Sequence, residues 1–254
     1  MATRLIPARD RWAEILCLGL ALILLMAGCS RAPRRVPLPI GQQPQIFSGE
    51  LGSSLNREYL LYLPEEINRK KQKRWPVILY LHGGSLRGEK VERVKSYGLP
   101  RWLEKQRNFP FLVISPQCPP GRRWNDPEGL IRLLEEVCRR FPVDHSRVYL
   151  TGISMGGGGA WLLASRHPEW FAAVAPLCGP GQTSWACGLK SLPVRVYHGA
   201  KDTTIPLRRS EEMARALRAC GGQVELIVLP EAAHDLTWLY EREELFEWFL
   251  SHRK

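Results

Sequence analysis

One stretch of the chain decides the fold: Val148-Tyr-Leu-Thr-Gly152-Ile-Ser154-Met-Gly156-Gly-Gly-Gly-Ala160-Trp-Leu-Leu163. The apolar run 148–153 predicts a buried strand, and the apolar residues that follow the glycines predict a helix. Between them lies Gly-x-Ser-x-Gly, which is typical of a sharp strand-to-helix turn with the serine at its tip. A serine in this position can attack a carbonyl carbon if the chain also supplies a base, an acid that orients the base, and oxyanion donors.

Short apolar runs alternate with helical patterns along the chain. The predicted strands are residues 57–63, 77–81, 111–115, 148–151, 172–175, 194–197 and 224–229. Strands that alternate with helices indicate an α/β protein with a doubly wound, mostly parallel sheet flanked by helices. Ligands of such sheets bind at the carboxyl ends of the strands.

Three of the helices have recognisable ends or faces. Asp126 and Pro127 are predicted to be the N-cap and first residue of a helix that reaches Phe141. A second helix is expected to start at Pro206 and to end at Gly221 and Gly222. An amphipathic pattern predicts a last helix that includes Trp238, Leu239, Leu245, Phe246, Phe249 and Leu250.

Composition sets limits on the class of protein. The 254 residues are enough for one α/β domain, and the formal net charge is +11. A basic chain can bind nucleic acid, but here the cationic residues are scattered or in short clusters such as 69–74, and no nucleic-acid-binding motif accompanies them. We therefore expect a cationic solvated surface and no nucleic-acid partner.

The N-terminus has the pattern of an export signal. Arginines precede an apolar run over residues 15–27, which is too short to span a membrane and ends at Gly28-Cys29. The sequence Leu25-Met-Ala-Gly-Cys29 resembles a bacterial lipobox, which implies lipidation of Cys29 and, with Ser30 next, attachment to the outer membrane or the periplasmic face. A plain signal peptide or an uncleaved anchor is the alternative.

These features predict three segments: a signal peptide over residues 1–28, a Pro- and Arg-rich tether over 29–44, and one domain over 45–254. Of the seven cysteines, Cys17 lies in the predicted signal peptide and Cys29 at the lipobox, which leaves five in the domain. Export permits disulfides, and Cys178 and Cys187 bracket a short loop that could close. An odd number leaves at least one thiol free, and no cysteine or histidine spacing indicates a metal.

A serine nucleophile needs a neighbouring base, and His234 is the predicted one. It follows the last predicted strand in Pro230-Glu-Ala-Ala-His234, whereas the other five histidines fall in turns, helix ends or the tail. His82 and His198 end strands and precede glycine, so they are expected to shape turns.

The predicted orienting acid is Asp202. It follows the 194–197 strand and lies between the serine and the histidine in the chain, with Glu231 as the alternative acid. The expected oxyanion donors are the backbone amides of Met155 and of Gly84, with Ser85 next after Gly84. The glycines 156–159 are expected to permit close packing between helix and strand.

The loops around this site give two further expectations. Only fourteen residues, 180–193, separate two predicted strands, which leaves no room for a lid domain. Trp124 and Trp185 lie on loops at the same end of the sheet. Each is a candidate for the substrate-binding surface, with plain packing as an equal alternative.

Several of these stretches together resemble the α/β-hydrolase superfamily. They are Leu81-His-Gly-Gly84, Ser115-Pro-Gln-Cys118, the run from Pro142 to Gly156, Arg166-His-Pro168, His198-Gly-Ala-Lys-Asp202 and Ala233-His-Asp235. The resemblance is to the esterase branch that includes phospholipase/carboxylesterases, predicted peptidases, dienelactone hydrolases and polyhydroxybutyrate depolymerases. Dienelactone hydrolases proper have cysteine where this chain has Ser154.

The resemblance implies a serine hydrolase that cleaves carboxylic esters through an acyl-enzyme, without a cofactor. Combined with the lipobox, it suggests an exported, lipid-anchored envelope enzyme that acts on small or oligomeric esters. The alternatives are a peptidase of the prolyl-oligopeptidase type and a non-catalytic envelope lipoprotein that binds a ligand.

Overall fold

In a computed structural model that describes residues 37–49 and 55–254, eight strands form one sheet in the order β1-β2-β4-β3-β5-β6-β7-β8. The strands are β1 (Gly41–Ile46), β2 (Glu58–Leu63), β3 (Trp75–Leu81), β4 (Leu112–Pro116), β5 (Val143–Ile153), β6 (Ala173–Leu177), β7 (Val194–Gly199) and β8 (Val224–Leu229). All seven predicted strands are therefore confirmed, with ends that differ by a few residues.

The sheet is mostly parallel, as predicted. The β1–β2 and β2–β4 pairs are antiparallel, and every other neighbouring pair is parallel. Strand β3 lies between β4 and β5, with Leu79 opposite Ile114 on one side and Leu150 on the other. The order of strands reverses at this point, which is where α/β sheets place their binding crevice.

The described part of the chain contains five α-helices, four between strands and the last after β8. They are α1 (Gly98–Leu103), α2 (Pro127–Arg140), α3 (Met155–Arg166), α4 (Arg208–Ala219) and α5 (Glu243–Leu250). Short 3₁₀ helices cover Glu65–Asn68, Gly84–Leu86, Val91–Ser96, Pro168–Trp170, Thr183–Leu189 and Thr237–Glu241. The connection between β6 and β7 holds only the Thr183–Leu189 turn, so it contains no lid.

Two of the predicted helix ends can be compared with the structure. The Asp126 Oδ1 atom accepts a 2.9 Å hydrogen bond from the Gly129 amide, and this confirms the predicted N-cap of α2. Helix α4 starts at Arg208, two residues after the predicted Pro206, and Gly221 behind its end has a φ of 78°.

The predicted last helix is two elements. Residues Thr237–Glu241 form a 3₁₀ turn, and α5 begins only at Glu243. Trp238 was expected on the apolar face, but 40% of it is exposed, and the Arg242 guanidinium lies over its ring. The helical pattern fails because Arg242 is extended, with φ −102° and ψ 136°.

Residues on the two faces of the sheet pack into two separate cores. Val148 and Leu150 of β5 belong to the core on one face, whereas Tyr149 and Ile153 belong to the core on the other. A strand buried on both sides needs apolar residues at successive positions, which explains the continuous apolar runs of the sequence.

The N-terminal boundary of the domain differs from the predicted one. Residues 41–44 were assigned to the tether, yet they belong to β1, which pairs with β2 at the edge of the sheet. The buried Gln42 side chain donates hydrogen bonds to the Pro100 carbonyl oxygen and to Glu104 Oε1 at 3.0 and 2.8 Å. Because β1 is a mostly polar edge strand, no apolar run in the sequence indicates it.

The compact unit that contains the sheet runs from Leu38 to Lys254. The predicted signal, the first half of the predicted tether (residues 29–36) and the predicted lipidation site Cys29 lie outside the described residues. Within residues 37–49 and 55–254, no helix has both the length and the apolar character needed to cross a membrane.

The loop between Cys178 and Cys187, which the sequence offered as one that could close, is not closed by a disulfide. Cys187 is bonded to Cys220, which joins the Thr183–Leu189 turn to the end of α4. Cys178 is buried at the end of β6, and its thiol donates to the His234 carbonyl oxygen instead. The prediction used sequence separation alone, which cannot show that helix α4 ends beside Cys187.

The four consecutive glycines let α3 approach the sheet closely. A Cβ atom on Gly156 would lie 1.8 Å from the Leu81 carbonyl oxygen, and one on Gly157 would lie 2.7 Å from the Leu177 carbonyl oxygen. A Cβ atom on Gly159 would meet Trp124 Cβ at 2.4 Å. Gly158 has more room, with the Pro180 carbonyl oxygen 3.0 Å from the corresponding position.

These distances predict that alanine substitutions at Gly156 and Gly158 differ strongly in their effect on the free energy of unfolding. Gly156→Ala should lower the free energy of unfolding by more than about 3 kcal/mol, because two backbone segments must separate. Gly158→Ala should change it by about 1 kcal/mol or less, since the gain in helix propensity offsets a mild contact. Urea denaturation of both variants measures the difference, and equal losses would contradict the packing described.

Candidate active site

Ser154 occupies a strained backbone conformation at the tip of the turn between β5 and α3. Its φ is 56° and its ψ is −116°, values that residues with a Cβ atom rarely adopt. The Ser154 amide donates to the Leu177 carbonyl oxygen of β6 at 2.9 Å, and the Ser154 carbonyl accepts from the Gly158 amide at 3.0 Å. These bonds hold the side chain at the carboxyl end of the sheet, at the N-terminus of α3.

A continuous hydrogen-bonded chain links the three predicted catalytic side chains. His234 Nε2 lies 2.9 Å from Ser154 Oγ, and His234 Nδ1 lies 2.7 Å from Asp202 Oδ2. His234 follows β8 and Asp202 follows β7, so three strand ends supply the three residues. In this geometry the serine hydroxyl can donate to Nε2 while the Nδ1–H group donates to the carboxylate.

Asp202 is buried yet held in its charged form. Its side chain has no exposed surface, and Oδ1 accepts hydrogen bonds from the Thr204 and Ile205 amides, each at 2.8 Å. Burial raises the pKa of the Asp202 carboxyl, but hydrogen bonds from His234, Ile205 and Thr204 outweigh burial and leave the pKa below its ordinary value. An ionised Asp202 can orient His234 and stabilise an imidazolium.

Both neighbouring acids have other partners. Glu231 is exposed and ion-paired with Lys201. The Asp235 carboxylate accepts hydrogen bonds from the amide and hydroxyl of Thr237 and from the Tyr97 hydroxyl. Asp202 and Glu231 are the two acids predicted for the orienting role, and of these Asp202 is the one in contact with the His234 ring.

The His198 ring contacts the Asp202 carboxylate, a role that sequence reasoning did not assign. Its Nε2 atom lies 2.8 Å from the Ile205 carbonyl oxygen and 3.3 Å from Asp202 Oδ2, and its Nδ1 atom lies 2.7 Å from Ser210 Oγ. The ring is fully buried. The signal was available in the sequence, because His198 is only four residues before Asp202 on the same strand end.

The loop after β3 brings backbone amides beside Ser154. An ideal Cβ on Gly83 would lie 3.8 Å from Ser154 Cβ. Gly84 is the first residue of the Gly84–Leu86 turn and Met155 is the first residue of α3, so no earlier turn of either helix accepts their N–H groups. Both predicted donors thus have amides free of helical bonding at the site, where an oxyanion could accept from them.

His82 and Trp124 hold this loop in place. His82 Nε2 accepts from the Cys118 amide at 3.0 Å, and Nδ1 lies 2.7 Å from the Gly83 carbonyl oxygen. Burial lowers the pKa of His82 to about 4, so the ring is neutral and its Nδ1–H group donates to Gly83. The Trp124 Nε1–H group donates to the His82 carbonyl oxygen at 2.9 Å.

The two tryptophans proposed for substrate binding have different surroundings. Trp124 is only 3% exposed and packs against His82, so the packing alternative is correct and its role is to support the loop. Trp185 is partly buried on the Thr183–Leu189 turn and packs against one core. A substrate contact for Trp185 stays a prediction.

Arg87 is a cation beside the predicted oxyanion donors that the sequence did not single out. Its Nε–H group points at Met155 Sδ at 3.3 Å, and its guanidinium lies next to Gly84. Among the described residues, no carboxylate lies within ion-pair distance of Arg87. A positive charge here favours negative charge that develops on a bound carbonyl oxygen.

One group of possible metal ligands occurs in the described part of the chain. Cys178, Asp202 and His234 each have a donor atom within 4.8 Å of the others. The Asp202 and His234 atoms already bond to each other, to Ser154 and to backbone amides, and the Cys178 thiol bonds to a carbonyl oxygen. The donor set is thus engaged in holding the serine, histidine and carboxylate together.

A serine, a histidine and a carboxylate at the carboxyl ends of β5, β8 and β7 in a mostly parallel sheet are arranged as in the α/β-hydrolase fold, and this chain has that fold. Residues 130–243 match the dienelactone hydrolase family. That region contains Ser154, Asp202 and His234.

Two known proteins are similar to this chain in sequence. A "Putative carboxymethylenebutenolidase" from Yersinia pestis is 34% identical over 130 residues, which are 43% of this chain and 48% of that protein. A "Probable feruloyl esterase C" from Aspergillus flavus is 26% identical over 193 residues, 72% of this chain and 68% of that protein.

Among solved structures, a thermostable esterase superposes with a TM-score of 0.66 at 26% identity, over 78% of this chain and 59% of that one. Of the relatives in sequence, the Yersinia pestis protein is matched over 48% of its length, so the chain spans about half of that protein.

Substitution of each candidate acid should show whether Asp202 or Glu231 orients His234. Asp202→Asn keeps an oxygen for the Thr204 and Ile205 amides but presents an NH₂ group to His234 Nδ1, which selects the wrong tautomer. We expect kcat to fall by about 10⁴-fold, as in other triads. Steady-state ester hydrolysis measures the loss.

The matched control is Glu231→Gln, which removes the alternative acid and should leave kcat within about twofold, as expected for an exposed ion pair. A small loss in Asp202→Asn combined with a large one in Glu231→Gln would reverse the assignment.

Proposed function

We propose that the chain is a serine hydrolase of carboxylic esters in which Ser154, His234 and Asp202 act as a catalytic triad. The unbroken hydrogen-bonded chain from Ser154 Oγ through His234 to the buried Asp202 carboxylate supports this proposal most directly. A buried, charged carboxylate at Nδ1 holds the imidazole in the tautomer that accepts a proton at Nε2 and stabilises the imidazolium that forms.

The reaction proceeds through an acyl-enzyme. Ser154 Oγ attacks the ester carbonyl carbon as its proton passes to His234 Nε2, and the oxyanion accepts hydrogen bonds from the Met155 and Gly84 amides. His234 then gives the proton to the departing alcohol oxygen. Water, deprotonated by the same Nε2 atom, attacks the acyl carbon and releases the carboxylic acid and Ser154, so no cofactor takes part.

Two observations favour small or oligomeric esters as substrates. The connection between β6 and β7 consists of a short turn, so a bulky substrate can approach Ser154 without displacing a lid. The relatives whose names state an ester substrate include the feruloyl esterase, which aligns with 72% of this chain. The substrate panel should therefore include methyl ferulate and acetate esters beside p-nitrophenyl esters.

The nucleophile is tested by pre-steady-state kinetics. The wild-type protein should release a burst of p-nitrophenol from p-nitrophenyl acetate, equal to the amount of enzyme, because deacylation follows acylation. The burst requires deacylation to be slower than acylation, so that one p-nitrophenol per Ser154 leaves before turnover is limited by hydrolysis of the acyl-enzyme. Ser154→Ala should show no burst and no labelling by a fluorophosphonate probe. Turnover of peptide amides above that of esters would favour the peptidase, and absence of labelling in the wild type would favour a binding protein.

We also propose that the protein is exported and anchored by lipid at Cys29. The lipobox pattern supports the anchor. The Cys187–Cys220 disulfide supports export, because disulfides persist in oxidising compartments and are rare in the cytosol.

Fractionation of cells tests the anchor. Cys29→Ala should move most of the protein from the membrane pellet to the soluble fraction, because the buried acyl chains that hold it are gone. Cys17→Ala is the matched control, since it removes another cysteine of the same segment and should leave the protein in the pellet. Unchanged partitioning of Cys29→Ala would overturn the proposal.

A further inference from the structure

Cys178, directly after β6, combines two unusual features. Its φ is 38°, although it is not a glycine and Gly179 follows it in the chain. Its side chain is completely buried. A residue with a Cβ atom is strained in this region and persists there only where the surroundings enforce it. Strain of this kind is concentrated at functional sites, so the contacts of the side chain are informative.

The end of β6 contacts the turn that carries Ser154, the loop that carries His234 and the strand that precedes Asp202. The Leu177 carbonyl oxygen accepts from the Ser154 amide, and the Cys178 amide donates to the Tyr197 carbonyl oxygen of β7 at 2.8 Å. The Cys178 Sγ atom lies 3.2 Å from the His234 carbonyl oxygen. Residues 177 and 178 therefore bond to the nucleophile, to the strand that leads to Asp202, and to the histidine.

The thiol is suited to donate a hydrogen bond and unsuited to attack a substrate. Burial raises the pKa of the Cys178 thiol to about 12, a hydrogen bond with the Ser154 backbone lowers it, and the Asp202 and Asp235 charges raise it. The group therefore remains S–H at neutral pH and donates to the His234 carbonyl oxygen. A thiolate would repel that oxygen.

We infer that Cys178 is a positioning residue for the histidine of the proposed triad: its S–H group fixes the main chain at His234 so that Nε2 faces Ser154 Oγ. The loop before His234 is held elsewhere, by the Lys201 amide on the Ala232 carbonyl oxygen at 2.9 Å. The thiol fixes the peptide of the histidine itself. This inference rests on the proposed function for its effect on rate, but not for its effect on geometry.

Kinetics give the first test, with three single variants. Cys178→Ala should lower kcat for p-nitrophenyl acetate by about 10- to 100-fold, the range expected for a misplacement of about 1 Å. KM should change less than twofold, because the thiol does not touch substrate. Cys178→Ser restores a donor and should recover much of kcat. Cys138→Ala, which removes another buried thiol far from the site in α2, should leave kcat unchanged.

Proton NMR gives a second test that does not depend on activity. The hydrogen-bonded His234 Nδ1–H proton, assigned by its absence in His234→Ala, should be sharp in the wild type, Cys178→Ser and Cys138→Ala, and broadened or lost in Cys178→Ala. An unchanged resonance and full kcat in Cys178→Ala would overturn the inference. So would equal losses of kcat in Cys178→Ala and Cys138→Ala that follow thermal stability alone.

The two tests also separate this inference from the proposed function. If the wild type hydrolyses no ester and binds no fluorophosphonate, the proposed function fails, while the Nδ1–H resonance still shows whether Cys178 positions His234.

Discussion

The site depends on one steric constraint, the contact between α3 and the end of β3. No side chain fits at Gly156, because its Cβ atom would lie 1.8 Å from the Leu81 carbonyl oxygen. The close approach forces β5 to turn sharply into α3, and Ser154 takes up the strain with a φ of 56°. The same contact sets the first amide of α3, on Met155, next to the Gly83–Gly84 loop. The proposed nucleophile and the proposed oxyanion donors thus depend on a single packing arrangement.

The order of strands accounts for the remaining parts of the site. Strand β3 pairs with β5, so the loop with Gly84 lies beside the serine turn, whereas β7 and β8 lie further along the same edge. The loop after β8 must therefore cross the ends of β7 and β6 before His234 can reach Ser154. Asp202 lies after β7 and Cys178 after β6, directly on this path. Each crossed strand end contributes one hydrogen bond to His234, to its ring or to its main chain.

Much of the fold and the central site could be predicted from the sequence. Buried parallel strands are continuous apolar runs, and a strained serine turn needs glycines at fixed spacing, so both leave local signals. The parts that were missed depend on contacts between distant residues. Strand β1 is polar and is recognisable only by its pairing with β2. The Cys187–Cys220 bond, the burial of Trp124 and the position of Arg87 beside Met155 likewise follow from tertiary packing, which spacing along the chain does not encode.

The central claim is that the strained Ser154 turn is a preformed nucleophile with its donors already in place. A crystal structure of the protein after reaction with a fluorophosphonate, compared with one of the unreacted protein, tests this most directly. The account predicts phosphorus bonded to Ser154 Oγ, a phosphonyl oxygen within hydrogen-bonding distance of the Met155 and Gly84 amides, and a positive φ at Ser154 in both structures. An adduct on another residue, or a phosphonyl oxygen turned away from both amides, would contradict it.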